Sequence, residues 1–321
     1  MSHDPGPSGV PPHSPERRAK PLSRADIQAQ VRARREQFEE ANEKITARTG
    51  RNLLSAIAIG VVLAGVMILS LVVIKELFMV LAAVLVAFGT LELATALRHA
   101  NIVVPRVPAM VVGVAMVPAA YYWGAEGQWL VFAAGVVVVA LWRLVDALVR
   151  RPRPSGLALL RDLGAGAFVQ VYVSFLGSIA VLLVSHEGGQ WWVMSFIVIV
   201  VLVDVGAYAT GLNLGRHPMA PTISPKKTWE GLAGAVVAAL VGGVLLAVFL
   251  LGQPWWVGLV FGAVIAATAT VGDLAESLIK RDIGIKDMSS WLPGHGGFLD
   301  RLDSILPSAA AAYVLWVVFA S

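Results

Sequence analysis

Residues 255–303 read WWVGLVFGAVIAATATVGDLAESLIKRDIGIKDMSSWLPGHGGFLDRLD. The first part, Trp255 to Ile279, is long and apolar enough to cross a bilayer as a helix. The second part is different in kind. From Asp273 to Asp303, thirty-one residues carry six acids, four bases and the run His295-Gly296-Gly297. Dense charge fused to a membrane-length helix reads as the catalytic loop of an integral membrane enzyme that handles phosphates and a metal.

The rest of the chain supports that class. Apolar residues make up 57% and charged residues 14% of 321, and the mean hydropathy is +0.73. A soluble domain carries about a quarter charged residues. With no cysteine, disulfides, thiolate catalysis and Cys-ligated zinc are excluded. Six histidines are present, and none has paired metal-ligand spacing.

The expected fold is an all-α polytopic bundle of nine spans. They are Leu53–Ile74, Leu77–Leu97, Val107–Trp123, Trp129–Leu148, Gly164–Val184, Trp191–Gly211, Leu232–Leu251, Trp255–Ile279 and Ser304–Phe319. Lys75 and Glu76 form a tight turn between the first two, and Pro118 is a candidate kink in the third. With the N-terminus cytoplasmic, twenty-four of the twenty-five Lys and Arg fall on inner segments, and Lys75 is the remaining one. The positive-inside rule therefore predicts N-in and C-out. Trp129, Trp191, Trp192, Trp255 and Trp256 flank the short outer turns, as interfacial anchors do.

Three regions follow. Residues 1–52 form a tail that lacks the pattern of a signal peptide. Its first part is Pro-, Ser- and Gly-rich and expected to be disordered. Arg24 to Arg48 is charged enough to form a solvated helix capped by Ser23. Residues 53–190 read as a scaffold with little intramembrane charge beyond Glu92 and the Arg143/Asp146 pair. Residues 191–321 read as the catalytic region, with two cytoplasmic motif loops. No internal repeat is visible, which weakens a transporter reading.

Asp204 lies inside the sixth span. A carboxylate there faces a polar cavity or a partner; its structural alternative is an interhelical hydrogen bond. The following loop contains Ser224-Pro225-Lys226-Lys227-Thr228. A hydroxyl, backbone N–H groups and two ammonium charges suit a polyphosphate, although a basic loop that only sets topology would look the same. Asp273, Glu276, Ser277 and Lys280 share one helix face. Such a stripe must look inward, as a metal-holding wall or as a buried ion pair. Magnesium takes a few carboxylates with water and phosphate oxygens. Arg281, Lys286, Asp287 and Arg301 add charge, Gly296 and Gly297 allow close backbone approach, and Asp300 and Asp303 lie one turn apart. His295 is an orienting or structural histidine.

The run Ser277-x-Ile279-Lys280-Arg281-x4-Lys286-Asp287-x-Ser289-x2-Leu292-Pro293-x-His295-Gly296-Gly297-Phe298-x-Asp300-Arg301-Leu302-Asp303 resembles the signature of phosphatidate cytidylyltransferases, or CDP-diacylglycerol synthases. Asp204-x-Gly206-Ala207-Tyr208 and Ser224-Pro225-Lys226-Lys227-Thr228-x-Glu230-Gly231 resemble that family's second block. The resemblance covers the chain from about Asp204 onward. It implies that CTP and phosphatidic acid give CDP-diacylglycerol and pyrophosphate, with Mg2+ required. It implies Asp273 and Asp300 as metal holders, a monovalent cation such as K+ beside Mg2+, and Ser224 to Thr228 in the same pocket. It further implies a lipid bilayer, a homodimer, no nucleic-acid partner, and a site facing the cytoplasm from the cell (inner or plasma) membrane. Asp273, Asp300, Lys280, Arg281, His295 and Asp303 are the expected catalytic group. Asp204, Lys286, Asp287, Gly296, Gly297 and Arg301 join Ser224 to Thr228 on the substrate side. Competing readings are a CTP-dependent enzyme acting on another lipid phosphate or a polyprenol, and an ion-coupled transporter using Asp204 and Asp273.

Overall fold

The computed structural model describes residues 62, 65–149, 153–289 and 297–320. The tail, His295 and Gly296 therefore lie outside the described residues, as does half of the expected first span. After a helical stretch at 65–72, the elements are α1 (Lys75–Ala96), α2 (Arg106–Tyr122), α3 (Gly124–Val149), α4 (Gly156–Ser185) and α5 (Gly189–Leu214). A hairpin of β1 (Pro218–Ala220) and β2 (Ser224–Thr228) follows, then α6 (Trp229–Phe249), α7 (Trp255–Ile283), the one-turn α8 (Leu299–Leu302) and α9 (Ile305–Phe319).

Among the described residues, seven helical segments are long and apolar enough to cross a membrane, with α8 and α9 taken together; α2 is a shorter apolar helix. Large apolar side chains such as Leu130, Val137, Leu141 and Val145 point outward from α3, as lipid-facing residues do. Among the described residues the chain is thus an all-α membrane protein apart from one small hairpin. Several ends differ from expectation. Lys75 and Glu76 are not the turn; they open α1, and the chain turns at Val73 and Ile74. The expected fifth span begins earlier, at Gly156, because Ser155 caps it by accepting the Ala158 N–H at 3.2 Å. Pro118 sits inside α2. The Ser224–Thr228 segment, read as a loop, is a strand paired antiparallel to β1, with Ala220 opposite Ser224.

The helix ends follow local chemistry. Asn101 ends the 3-10 turn Leu97–Ala100 in the left-handed region, at φ 56°, a conformation asparagine tolerates. Gly284 does the same for α7 at φ 80°, just after Lys280 and Arg281, whose charge suits a helix C-terminus. The middle of α4 relaxes into a π-helical segment, Gln170–Phe175. One buried cluster joins Phe196, Ile199, Phe261, Ile265 and Ala309. A second joins Leu93, Val173, Leu299 and Leu302 and ties α1 to α8.

The scaffold also holds a buried ion pair. Arg143 (2% exposed) donates Nε and Nη2 to Asp162 Oδ2 at 3.0 and 2.6 Å, and Asp162 Oδ1 accepts the Val103 N–H at 2.9 Å. The contact to Asp146 is longer, at 3.4 Å. Removing one partner of a buried pair leaves an uncompensated charge. Asp162→Ala is therefore expected to destabilise the fold by about 3 kcal/mol, seen as a lowered Tm in detergent.

Candidate active site

The cavity that matters begins on α5. Asp204, Tyr208 and Gly211 stand on one face of that helix at offsets of four and three, and all three line a cavity of 340 Å³. α6 runs close beside α5. A Cβ at Gly206 would sit 2.8 Å from the Gly234 carbonyl and 2.9 Å from Ala238 Cβ, so glycine at this position permits the approach.

The β-hairpin closes the cavity from the polar end. Thr228 Oγ1 accepts the Gly231 N–H at 3.1 Å and caps α6. Glu230 clasps the residues that lead into β1: it accepts the Arg216 and His217 N–H groups at 3.1 and 3.2 Å, and its Oε1 lies 2.5 Å from His217 Nδ1. Arg281, at the end of α7, donates Nε to the Ile223 carbonyl at 3.3 Å. These ties place Ser224, Lys226, Lys227 and Thr228 on the cavity wall, facing Asp204 and Asp273. Pro225 is exposed and outside that wall.

Asp273 comes from α7. Its Oδ2 is ion-paired with Lys227 Nζ, and Ser277 Oγ lies 3.5 Å from its Oδ1. One turn further, Lys280 Nζ bridges two acids, Glu276 Oε2 at 2.6 Å and Asp300 Oδ1 at 2.7 Å. Asp300 Oδ2 accepts the Gly297 N–H at 2.7 Å and the Met288 N–H at 3.3 Å. Asp303 is buried, and its Oδ1 accepts the Ser304 N–H at 2.6 Å. Gly272 lets the Asp303 carbonyl press against α7. Arg301 is exposed and lies within electrostatic reach of Asp204.

The expected residues therefore fall into two connected groups. Asp204, Ser224, Lys226, Lys227, Thr228 and Asp273 share the cavity. Lys280, Asp300 and Gly297 form a hydrogen-bonded set beside it, reached along the same α7 face. Lys286 and Asp287 are exposed on the segment after α7 and outside the cavity wall. Arg281 spends its Nε on holding the hairpin. Sequence reasoning passed over Glu92, which it placed only as a scaffold charge. Its signal was its position: an acid at membrane depth needs partners.

Among the described residues, no three His, Asp or Glu side chains converge as a ready-made metal cage. Magnesium does not need one, since it takes one or two carboxylates and completes its shell with water and phosphate. The donor set fits that habit. Asp273 opens on the cavity, and on the same helix Glu276 Oε1 is buried without a hydrogen-bond partner.

A hairpin with two lysines thus faces two carboxylates at the end of apolar helices. Comparison with known families decides the class. The profile of the cytidylyltransferase family matches residues 54–319. The chain belongs to the cytidylyltransferase family. The match reaches well upstream of Asp204, so the likeness to this family includes the first helices as well as the motif loops.

Individual cytidylyltransferases give the same picture. The chain is 41% identical to the phosphatidate cytidylyltransferase of Mycobacterium bovis over 275 residues, which cover 84% of this chain and 90% of that protein. It is 40% identical to that of Mycobacterium leprae over 280 residues, or 85% of this chain and 90% of that protein. The phosphatidate cytidylyltransferase of Brucella suis is 42% identical over 117 residues, 36% of this chain and 43% of that protein.

Proposed function

We propose that this cytidylyltransferase uses CTP and phosphatidic acid to make CDP-diacylglycerol and pyrophosphate. The observation that carries the reading is the cavity itself, where Lys226 and Lys227 face Asp204 and Asp273 at the mouth of an apolar bundle. The likeness to phosphatidate cytidylyltransferases over 84% and 85% of the chain suggests the substrates.

The chemistry needs alignment and charge neutralisation more than covalent help. An oxygen of the lipid phosphate attacks the α-phosphorus of CTP. A new P–O bond forms as the bond to the β-phosphate oxygen breaks, and pyrophosphate leaves with the electron pair. The nucleophile is already an anion, so no strong general base is required. Lys226 and Lys227 hold the CTP phosphates, with Ser224 and the hairpin backbone as further donors. In this reading Lys280, through its bridge to Glu276 and Asp300, and Arg301 place positive charge toward the lipid phosphate. Asp303 orients groups at the junction of α7 and α9. Asp273, with Asp300, would hold Mg2+, which would supply neutralisation of charge on the phosphates. A monovalent cation such as K+ would accompany it in this reading.

The topology belongs to the same proposal: nine spans, N-terminus in, in the cell membrane, with the cavity open to cytosolic CTP and sideways to lipid, in a homodimer. A 53–190 scaffold and a 191–321 catalytic region remain the working division. One structural fact favours alternating spans. Lys75 Nζ donates to the His186 carbonyl at 3.5 Å, and Tyr121 donates to Glu76 at 3.5 Å, so these three turns share one end of the bundle.

The test is turnover by purified protein with CTP and a panel of lipid phosphates. Phosphatidic acid should release pyrophosphate fastest; no release with it would end this reading. Within that assay, Lys227→Ala should raise KM for CTP by about tenfold, the loss of one charge-assisted phosphate contact worth about 1.5 kcal/mol. Unchanged saturation by CTP would remove Lys227 from the nucleotide pocket.

A further inference from the structure

Glu92 is 1% exposed on α1, a helix with no residue on the cavity wall. Among the described residues, its carboxylate nonetheless accepts three hydrogen bonds from the far end of the chain. Ser289 Oγ donates to Oε1 at 2.5 Å, the Phe298 N–H donates to Oε1 at 2.9 Å, and the Leu299 N–H donates to Oε2 at 2.8 Å. These donors lie on both sides of residues 290–296. Phe88, one turn before Glu92, stacks on Phe298 with ring centroids 4.7 Å apart and planes 13° from parallel. Gly297 fits between the two acids: a Cβ there would sit 2.9 and 3.0 Å from the Glu92 oxygens and 3.1 Å from Asp300 Oδ2.

A buried carboxylate at this depth is costly unless donors satisfy it. Two of its donors are N–H groups at the start of α8, which its own turn cannot pair. Glu92 thus acts as a cap supplied from 207 residues away. What it caps is the turn that carries Asp300, which in turn holds Lys280.

We propose that Glu92 is a positioning residue for cytidylyl transfer: through Phe298 and Leu299 it sets Asp300 and Lys280 against the reacting phosphates. The proposal rests on the phosphatidate cytidylyltransferase reading above. It separates two walls of the site, because Lys226 and Lys227 are held by the hairpin and do not depend on Glu92.

Glu92→Gln keeps the shape but turns an amide N–H2 toward donors, so at least one backbone N–H loses its acceptor. The expected result is a fall in kcat of about 100-fold, the effect of a displacement near 1 Å, with KM for CTP unchanged. Glu92→Asp should fall between, and Ser289→Ala, which removes one of the three bonds, should fall least. Amide hydrogen exchange supplies a readout independent of turnover: in Glu92→Gln, protection should be lost at Phe298 and Leu299 while the long helices keep theirs. Full kcat in Glu92→Gln, or exchange rising equally in every helix, would overturn the proposal. If the wild type itself made no CDP-diacylglycerol, the functional reading would fall and the proposal with it; an active wild type beside a fully active Glu92→Gln overturns the proposal alone.

Discussion

Replacing Asp273 by asparagine is expected to lower kcat by about 100- to 1,000-fold, the range seen when a preorganised electrostatic group is removed from a reaction centre. Stability should hardly change. Asp273 and Lys227 are 32% and 26% exposed as side chains, and a pair this open to solvent is worth about 0–1 kcal/mol. The carboxylate is therefore not kept for the fold. It stands on the cavity wall beside the lysines that the CTP phosphates would meet. Steady-state kinetics at several Mg2+ concentrations, with Tm measured on the same preparation, separate the two effects. A variant that kept full magnesium-dependent turnover would contradict the role given to Asp273.

The second large effect is expected at Lys280, and there stability moves as well. Its ammonium bridges Glu276 and Asp300, and the side chains of the three are 13%, 1% and 13% exposed. Lys280→Met leaves two acids facing each other with no cation between them. Breaking a buried pair in this way costs about 3–5 kcal/mol. A clear drop in Tm and loss of turnover should appear together. Adding Glu276→Gln to Lys280→Met removes one of the stranded charges and should recover part of the Tm without recovering turnover. An unchanged Tm in Lys280→Met would show that the bridge contributes little to the fold.

Much of this arrangement is legible in the chain, and the parts that are not have physical reasons. The apolar runs give the helices, because a bilayer-length segment leaves few alternatives. The stripe Asp273, Glu276, Ser277 and Lys280 gives one wall of the site, because helical spacing places those residues together. Lys280 meeting Asp300 is a contact across 20 residues, short enough that both sit in one charged stretch. The hairpin is less visible. Ser224–Thr228 lacks apolar alternation and contains a proline, so it reads as a loop; its pairing with Pro218–Ala220 is set by Glu230 reaching back to Arg216 and His217.

Two contacts are invisible to local pattern. Arg143 and Asp146 look like a pair three residues apart, yet Arg143 makes its shortest contact with Asp162 on the next helix. Glu92 looks like a stray scaffold acid, because its partners lie about two-thirds of the chain away. Periodicity reports which face a residue occupies and is silent about which distant helix that face meets. The link between the first half and the motif turn therefore emerges only when the bundle is assembled.

This cytidylyltransferase is expected to move a cytidylyl group, and not a phosphoryl group, onto a lipid phosphate. The most direct measurement is incubation of the purified protein with phosphatidic acid and CTP labelled at either the α- or the γ-phosphorus. α-Label should enter the lipid fraction while γ-label leaves as pyrophosphate. γ-Label in the lipid with release of CDP, or no label in the lipid from either position, would contradict it.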